Sequence, residues 1–362
     1  MEQLIAKIGK GWKGAKDLTW EEAKRAFHGI VKGEVTATQV GAFLMAMRIK
    51  TESISELGAF TAAAREYAAP LQFPQPANMV DVPLYGEKHH TVHIIIAASL
   101  VAASAGAGMF LHGVDSPHTS SDIPRILALL GIPVAFSVSD MTQQFAQRPW
   151  VYGDLAGYHA PLTRLLDLRS EFGVQNLAHQ VARLLNPGRL PSQVIGIAHP
   201  PYLDKMAEAL DMLGAKRALI IQGVEGFPEL SISAPSTARE LRSGHISPLT
   251  FRPQDAGLRI GPFQAMSQGA ATETASIPAQ EAALIHALLN NRQRGDQRAW
   301  VILNAALLIY AAGVAPSLAQ STPVAIDALD SGKAGALLQD ISREPKSQKG
   351  LPSSIPTATV TT

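Results

Sequence analysis

From Met79 onward the sequence alternates short runs of β-branched and other apolar residues with longer segments of helical periodicity. Five runs have the length and composition of buried strands, and they cover residues 79–83, 108–112, 134–138, 193–197 and 217–223. Between and after them lie amphipathic segments and one long apolar helix over residues 298–313. This alternation predicts an α/β domain with a mostly parallel central sheet and flanking helices.

The first 72 residues have a different pattern, with one helical segment following another. Thr19 is followed three residues later by Glu22, the spacing of a capping box, which predicts a helix start at this point. Apolar residues on one face predict a second helix over residues 38–49, and residues 53–67 form a third. We therefore predict a small N-terminal helical bundle.

A proline-rich stretch over residues 70–77 marks the junction between the two patterns. The predicted division is a helical domain over residues 1–72, with a later helical contribution around residues 145–185, and an α/β domain over residues 73–341. Residues 342–362 are rich in Ser, Thr, Pro and Lys and have little to bury, so they are expected to form a disordered tail.

Composition excludes some classes of function. The chain has no cysteine, which removes disulfides, thiolate catalysis and cysteine-bound metal. The 31 basic residues nearly balance the 30 acidic ones, so the whole chain does not attract nucleic acid, although a local basic groove remains open. The charged N-terminus lacks the apolar run of a signal peptide, and residues 93–111 read as a buried helix and not as a membrane span. We expect a cytoplasmic protein without a membrane partner.

Eight short segments occur in an order that points to one family. They cover residues 32–50, 111–113, 128–131, 186–187, 223–226, 252–258, 303–306 and 330–337. Taken together, these segments resemble the anthranilate phosphoribosyltransferases and their nucleoside phosphorylase relatives over residues 3–341. Residues 111–114, 175–179 and 198–203 resemble more closely a divergent bacterial subgroup of them, the YbiB-like paralogues. The resemblance implies a helical bundle joined to an α/β domain, a homodimer formed through the N-terminal helices, and glycosyl transfer through an oxocarbenium-like state in the cleft between the two parts.

The resemblance places a glycine-rich phosphate loop directly after the first strand. Glycines suit such a loop because backbone amides must approach the pyrophosphate closely. Only Gly86 of that motif is present here, and Lys88, His89 and His90 follow it. Their side chains either bind a phosphate in place of the missing amides or form a solvated charged loop. His93 stands where the family has an asparagine.

A second family motif, Lys-His-Gly-Asn-Arg-Ser, follows the next strand. His112, Gly113 and Ser116 match it, whereas Leu111 replaces the lysine and Asp115 replaces the arginine. An aspartate opposes the binding of an anion at that position. His112 is therefore either a donor to the ligand or a histidine at the edge of the core that fixes the next turn.

The third motif is the Asp-Glu pair that holds magnesium in the family. Carboxylate oxygens suit this hard cation, and substrate phosphates complete its coordination. Here Pro228 replaces one carboxylate of the pair, which leaves Glu225 and Glu229 as the candidate magnesium ligands. The 11 histidines lack the spacing of a zinc site, and no other cofactor is expected.

The family's pocket for the aromatic acid lies in the segment before residue 186. Arg169 is the candidate for binding a carboxylate, and Asn176 and His179 are the further candidates for the acceptor pocket. Like His112, His179 is either a donor to the ligand or a histidine at the edge of the core. Arg164, Arg169 and Arg183 recur along this stretch and either line a basic groove or form a solvated helix face. We predict the solvated face.

These residues lead to three hypotheses about function. The first is a divergent glycosyl or phosphoribosyl transferase with an altered donor or acceptor that acts on a phosphate-containing small molecule. The second is a non-catalytic binder of nucleic acid on the same scaffold, as the YbiB-like resemblance implies. The third is the ordinary phosphoribosyl transfer to anthranilate of tryptophan biosynthesis.

Overall fold

The structure is a computed structural model that describes residues 1–11, 13–74, 76–85, 92–114, 123–224, 228–262 and 276–343. A small N-terminal helical part precedes a larger part in which helices flank a seven-stranded, mostly parallel sheet. The predicted fold class is therefore confirmed. The division of the chain at residue 72 stays a prediction.

The N-terminal part contains four helices: α1 (Glu2–Ile8), α2 (Trp20–Lys32), α3 (Ala37–Lys50) and α4 (Ile54–Arg65). Helices α2, α3 and α4 each begin with a complete capping box, and that of α2 is the predicted pair of Thr19 and Glu22. Each box satisfies two backbone groups that a helix start leaves unpaired. Helix α1 is an addition to the three predicted helices.

The sheet contains seven strands: β1 (Met79–Pro83), β2 (Gly108–Gly113), β3 (Trp150–Asp154), β4 (Ser192–Gly196), β5 (Arg217–Gln222), β6 (Ser236–Arg242) and β7 (His245–Phe251). Their order is β3-β2-β1-β4-β5-β6-β7, and only the last two are antiparallel to their neighbours. Four of the five predicted strands are confirmed.

The strand predicted over residues 134–138 is wrong. Within it Ala135 forms a single bridge to Gly153, and the chain then enters helix α7 (Val138–Gln147). Ser137 starts this helix because its side chain accepts a hydrogen bond from the backbone N–H of Asp140. A helix start therefore replaces the predicted strand end.

The remaining helices are α5 (Ile94–Ser104), α6 (Ile123–Leu129), α8 (Ala156–Asp167), α9 (Arg169–Phe172), α10 (Leu177–Leu184), α11 (Tyr202–Met212), α12 (Ile277–Leu289), α13 (Asp296–Ala311), α14 (Leu318–Asp330) and α15 (Lys333–Ser342). The single buried helix predicted over residues 93–111 is corrected: α5 ends at Ser104 and β2 begins at Gly108. No described helix combines the length and the apolar composition needed to cross a bilayer.

Two apolar cores lie on opposite faces of the sheet. One face packs against α5 and the helices α12 to α15, and α5 is buried over its whole first ten residues. The other face packs against α7, α8, α10 and α11, and α10 and α11 in turn pack against the N-terminal bundle. Helix α10 contacts α3 and α4 of the bundle as well as β1, so it joins the two parts of the chain. This arrangement places the segment from α9 to α10 beside the carboxyl end of β4.

Candidate functional site

A cleft of about 330 Å³ lies between the end of α3, the segment from α9 to α10, and the carboxyl end of β4. Open α/β sheets commonly bind ligands outside the carboxyl ends of their parallel strands. The cleft is lined by Arg48, Arg169, Gly173, Val174, Gln175, Gln180, Arg183, Gly196, Ile197, Ala198, His199, Tyr202 and Pro228. Three of these described lining residues are arginines and none is acidic, so the cleft is cationic.

The turn between α9 and α10 shapes one wall of this cleft. Helix α9 ends at Gly173, whose φ of 69° lies in the left-handed region that favours glycine. Asn176 then caps α10, because its Oδ1 accepts from the N–H of Ala178 at 2.8 Å and its Nδ2 donates to the carbonyl of Leu165 at 2.7 Å. Both side-chain polar atoms of Asn176, a predicted acceptor residue, therefore form hydrogen bonds that stabilise this wall of the cleft.

The three arginines come from three helices and differ in exposure. Arg48 in the last turn of α3 is exposed, Arg169 at the start of α9 is half-buried, and Arg183 on α10 is only 6% exposed. The predicted solvated face is therefore wrong for Arg183, although Arg164 is exposed as expected. Arg183 turns inward because α10 is buried between the bundle and the sheet.

His179 lies within the electrostatic reach of all three cations. The pKa of His179 is lowered to about 3, mainly by burial and in addition by the positive charges of Arg183, Arg169 and Arg48. The ring is 3% exposed, and its Nδ1 accepts a hydrogen bond from the backbone N–H of Asn176. His179 is therefore neutral at physiological pH, and the charge in the cleft comes from the arginines.

The lowered pKa of His179 predicts a loss of stability in acid. The unfolded chain binds a proton near pH 6.5, whereas folded His179 binds one only near pH 3, so the unfolded state is favoured as the pH falls through this window. Between about pH 7.5 and pH 5 we expect His179 to account for a loss of about 2 kcal/mol in unfolding free energy. Urea denaturation at the two pH values should show this loss in the wild type and not in His179→Gln, which keeps a capping-box residue. Equal losses in both proteins would contradict the assignment.

Gly196 forms part of the opposite wall, where β4 ends. A Cβ on this residue would lie 2.1 Å from the carbonyl oxygen of Pro228, a contact that only a backbone shift can relieve. We expect Gly196→Ala to destabilise the protein by at least about 2 kcal/mol and to weaken ligand binding in the cleft. Gly29→Ala in α2 is the control, because its Cβ would meet nothing closer than 3.5 Å. If neither variant has an altered unfolding temperature, the backbone at Pro228 shifts at little energetic cost, which would contradict the prediction.

His112, a predicted ligand residue, lies instead in a buried polar network. It is fully buried, its Nε2 is 3.1 Å from Asp81 Oδ1, and its Nδ1 is 2.8 Å from both the Tyr85 and Tyr158 hydroxyls. Burial raises the pKa of both tyrosines well above the ordinary value, so both hydroxyls carry their protons. Gln193 Nε2 completes the network by donating to Asp81 Oδ2 at 3.1 Å. Of the two alternatives for His112, the geometry favours the core histidine.

His93 is placed in a similar way. It is 4% exposed, and its backbone N–H and its Nδ1 both lie 2.9 Å from Oε2 of Glu281 on α12. Tyr85 and His93 stand on either side of residues 86–91, so each flank of that segment is tied to the interior by a buried hydrogen bond. His112, through its hydrogen bond with Tyr85, and His93 therefore hold the chain in place on either side of the predicted phosphate loop.

Gly113, at the end of β2, has a steric role. A Cβ here would lie 2.3 Å from the Tyr152 hydroxyl oxygen and 3.3 Å from the carbonyl oxygen of Leu84. The strand end therefore requires glycine. Other residues singled out from the sequence lie outside the described residues: Gly86, Lys88, His89, His90, Asp115, Ser116 and Glu225.

Of the two candidate magnesium ligands, Glu229 is described and Glu225 lies outside the described residues. Within the described ranges, no group of three or more His, Asp or Glu side chains lies close enough to hold a metal ion. Glu229 is 4% exposed, and its neighbour Pro228, which lines the cleft, offers no side-chain oxygen. Mg²⁺ bound together with substrate phosphates takes one or two carboxylates from a protein, and Glu229 is the described candidate for that role. We derive no chemical step through a metal.

The sequence did not identify several residues that the structure brings to the cleft, namely Arg48, Gln180, His199 and Tyr202. Arg48 lies within the segment that resembles the family's helical domain, and His199 and Tyr202 lie in a short His-Pro-Pro-Tyr motif. Arg48 and Arg183 are 135 positions apart in the sequence, so only the folded chain shows that they share a site.

Comparisons with known proteins agree with this architecture. Residues 80–335 match the model of the glycosyl transferase family a/b domain, and residues 2–68 match the helical bundle domain of the same family. The chain is 31% identical to anthranilate phosphoribosyltransferase of Chromobacterium violaceum over 90% of its own length and 93% of that protein. It is also 31% identical to the Moorella thermoacetica enzyme of that name, over 93% and 96% of the two chains.

Solved structures show the same relationship. The crystal structure of anthranilate phosphoribosyltransferase from Thermus thermophilus superposes with a TM-score of 0.80 at 27% identity, covering 94% of this chain and 98% of that one. The Saccharomyces cerevisiae enzyme in complex with PRPP and Mg superposes with a TM-score of 0.79 over 94% and 97% of the two chains, and its 16% identity supports the fold alone.

Proposed function

The chain belongs to the glycosyl transferase family that includes the anthranilate phosphoribosyltransferases, and from this premise we propose that it transfers a phosphoribosyl or related glycosyl group to a small organic acid bound in the arginine-lined cleft. One observation supports this most strongly. Arg48, Arg169 and Arg183 converge on one cleft whose described lining contains no acidic side chain. A site of this charge selects an anion.

An organic acid is the acceptor class that suits these arginines. A guanidinium donates two parallel hydrogen bonds to a carboxylate, which fixes the orientation of the acid as well as its position. Arg169 is half-buried at the mouth of the cleft and is the residue that the sequence resemblance assigns to the carboxylate. With the acid held there, the nucleophilic atom of the acceptor is directed toward the sugar of the donor.

We propose that the donor is a phosphate-containing sugar of the phosphoribosyl pyrophosphate type. Gly86, Lys88, His89, His90 and Ser116 are the candidates to contact its phosphates. In the transfer, the bond from the anomeric carbon to the leaving phosphate oxygen breaks, and that oxygen keeps the electron pair. The acceptor nucleophile then bonds to the anomeric carbon and loses its proton. The contribution of the protein is positioning and charge stabilisation.

The test is an assay of pyrophosphate release from phosphoribosyl pyrophosphate in the presence of anthranilate and other one-ring acids. We expect release that depends on the acid and that is lost in Arg169→Gln. Parallel reactions with and without added Mg²⁺ measure the metal requirement directly. Calorimetry that detects no binding of phosphoribosyl pyrophosphate, phosphate or any acid would contradict the proposal.

The same assay separates the three hypotheses. Efficient use of anthranilate with Mg²⁺ identifies the ordinary tryptophan-pathway reaction, whereas use of a different acid identifies a divergent transferase. If no acid is used, a gel shift with single-stranded nucleic acid across a salt series tests the binding alternative, because contacts to a phosphate backbone weaken steeply with salt.

Dimerisation through the N-terminal helices is a further part of this proposal. Ile49 on α3 is 70% exposed, which leaves a large apolar side chain on the face of the bundle. Sedimentation analysis of the wild type is expected to give the mass of a dimer, and a monomer at micromolar concentration would contradict this part.

A further inference from the structure

Arg183 is a buried cation for which the described residues provide only neutral partners. Its Nη1 donates to the carbonyl of His179 at 3.3 Å and to Gln180 Oε1 at 2.9 Å, and its Nη2 donates to the carbonyl of Tyr85 at 3.2 Å. Its Nε–H has no acceptor among the described residues, and no described carboxylate forms an ion pair with it. Among the described residues, the guanidinium is thus neither fully hydrogen-bonded nor neutralised.

A buried guanidinium without a counter-charge destabilises the folded protein unless a negative charge compensates for it. Removing a guanidinium from water carries a desolvation penalty, which neutral acceptors offset only in part. Burial lowers the pKa of Arg183 to about 10, which agrees with an uncompensated charge, yet the group remains protonated at physiological pH. An anion entering the cleft would supply the missing compensation, because Arg183 is one of the lining residues.

The carboxylate of a simple acid does not need this third arginine. Arg169 alone can bind a carboxylate through a bidentate contact, and Arg48 adds a second positive charge near the mouth of the cleft. Arg183 lies on a different helix and is far more buried than either. The cleft therefore carries one cation at its floor in addition to those at its mouth.

Resting on the proposed function, we propose that the acceptor is a one-ring compound with two negative charges, one held at Arg169 and the other at Arg183. A ring dicarboxylate carries the two charges on two groups, and an aryl phosphate carries both on one group whose oxygens contact the two guanidinium groups. The cleft volume of about 330 Å³ lies at the lower end of the range for small-molecule sites, which suits a single ring with two substituents. Arg183 is then a specificity-determining residue that discriminates against acids of a single charge.

The probes are benzoate, benzene-1,2-dicarboxylate and phenyl phosphate, titrated calorimetrically into the wild-type protein at one fixed ionic strength. We expect at least one of the two doubly charged ligands to bind about tenfold or more tightly than benzoate. The ligand that binds more tightly identifies the doubly charged acceptor as a dicarboxylate or as an aryl phosphate.

Variants assign the preference to Arg183. In Arg183→Gln the preference is expected to fall below about threefold, while the affinity for benzoate changes little. Arg183→Lys keeps the charge and is expected to retain part of the preference even if Arg183→Gln folds poorly. Arg164→Gln, an exposed position on α8 outside the cleft lining, is the control and should keep the full preference.

The outcomes separate the two proposals. Equal affinities of the wild type for benzoate and both doubly charged ligands would overturn the inference about Arg183 and leave an acidic acceptor in place. A preference that survives in Arg183→Gln would show that Arg183 only supports the Tyr85 carbonyl, which also overturns the inference. Failure of the wild type to bind any of the three ligands would overturn the proposed acidic acceptor itself.

Discussion

Replacing Arg169 with glutamine is expected to lower kcat/KM for the acidic acceptor by about 100-fold or more. A carboxylate that loses a bidentate, charge-assisted partner in a partly buried site typically loses about 2–5 kcal/mol of interaction energy. Arg169 lines the cleft and is half-buried, so solvent screens its charge only in part. The loss should appear mainly in the KM of the acceptor, with the KM of the donor little changed.

The matched control for this prediction is Arg164→Gln. Arg164 lies five residues before Arg169 on the same stretch of chain, but it is exposed and does not line the cleft. The Arg164→Gln variant removes the same charge from the protein as Arg169→Gln, so any general electrostatic effect appears in both variants. Wild-type kinetics in Arg169→Gln, or equal losses in the two variants, would show that Arg169 does not bind the acceptor.

The second large effect is expected for Asp81, at the centre of the buried network. Asp81→Ala should lower the free energy of unfolding by about 3–5 kcal/mol, because removing one member of a buried polar pair leaves its partners without acceptors. Those partners are the side chains of His112 and Gln193, and both are almost fully buried. A loss of this size is a large fraction of the stability of a typical domain.

Urea denaturation measures this loss, and Asp327→Ala provides the reference. Asp327 pairs with Lys333 on the surface, and both side chains are more than half exposed, so its removal should cost less than about 1 kcal/mol. A double-mutant cycle of Asp81→Ala with His112→Leu then isolates the coupling between the two residues. Losses in Asp81→Ala no greater than those in Asp327→Ala would contradict the structural role given to the network.

The elements predicted well from the sequence are those specified by local chemistry. The capping box of Thr19 and Glu22 fixes a helix start within four residues, and the apolar runs of β1, β2, β4 and β5 are typical of strands buried on both faces. Strands β6 and β7 lack such runs, because β6 mixes buried with exposed positions, whereas β7 is buried only at Phe251 and contains Pro248. Apolar runs alone therefore do not predict this hairpin.

The candidate site could be predicted only in part, for a different reason. Histidines next to a family motif look like ligand residues in the sequence, and their true partners are distant: Asp81 is 31 positions from His112, and Glu281 is 188 positions from His93. Whether such a histidine binds a ligand or stabilises the interior depends on these long-range contacts. The same holds for Arg183, whose burial follows from the packing of α10 and not from its own sequence neighbours.

The most direct test of the account is a crystal structure of the protein soaked with benzene-1,2-dicarboxylate. We expect electron density for the ligand in the cleft between α3, α10 and the end of β4, with a carboxylate oxygen about 2.7–2.9 Å from a guanidinium nitrogen of Arg169. Density for the acid elsewhere on the molecule, with none beside Arg169 at saturating concentration, would contradict the claim that this cleft binds the acidic acceptor.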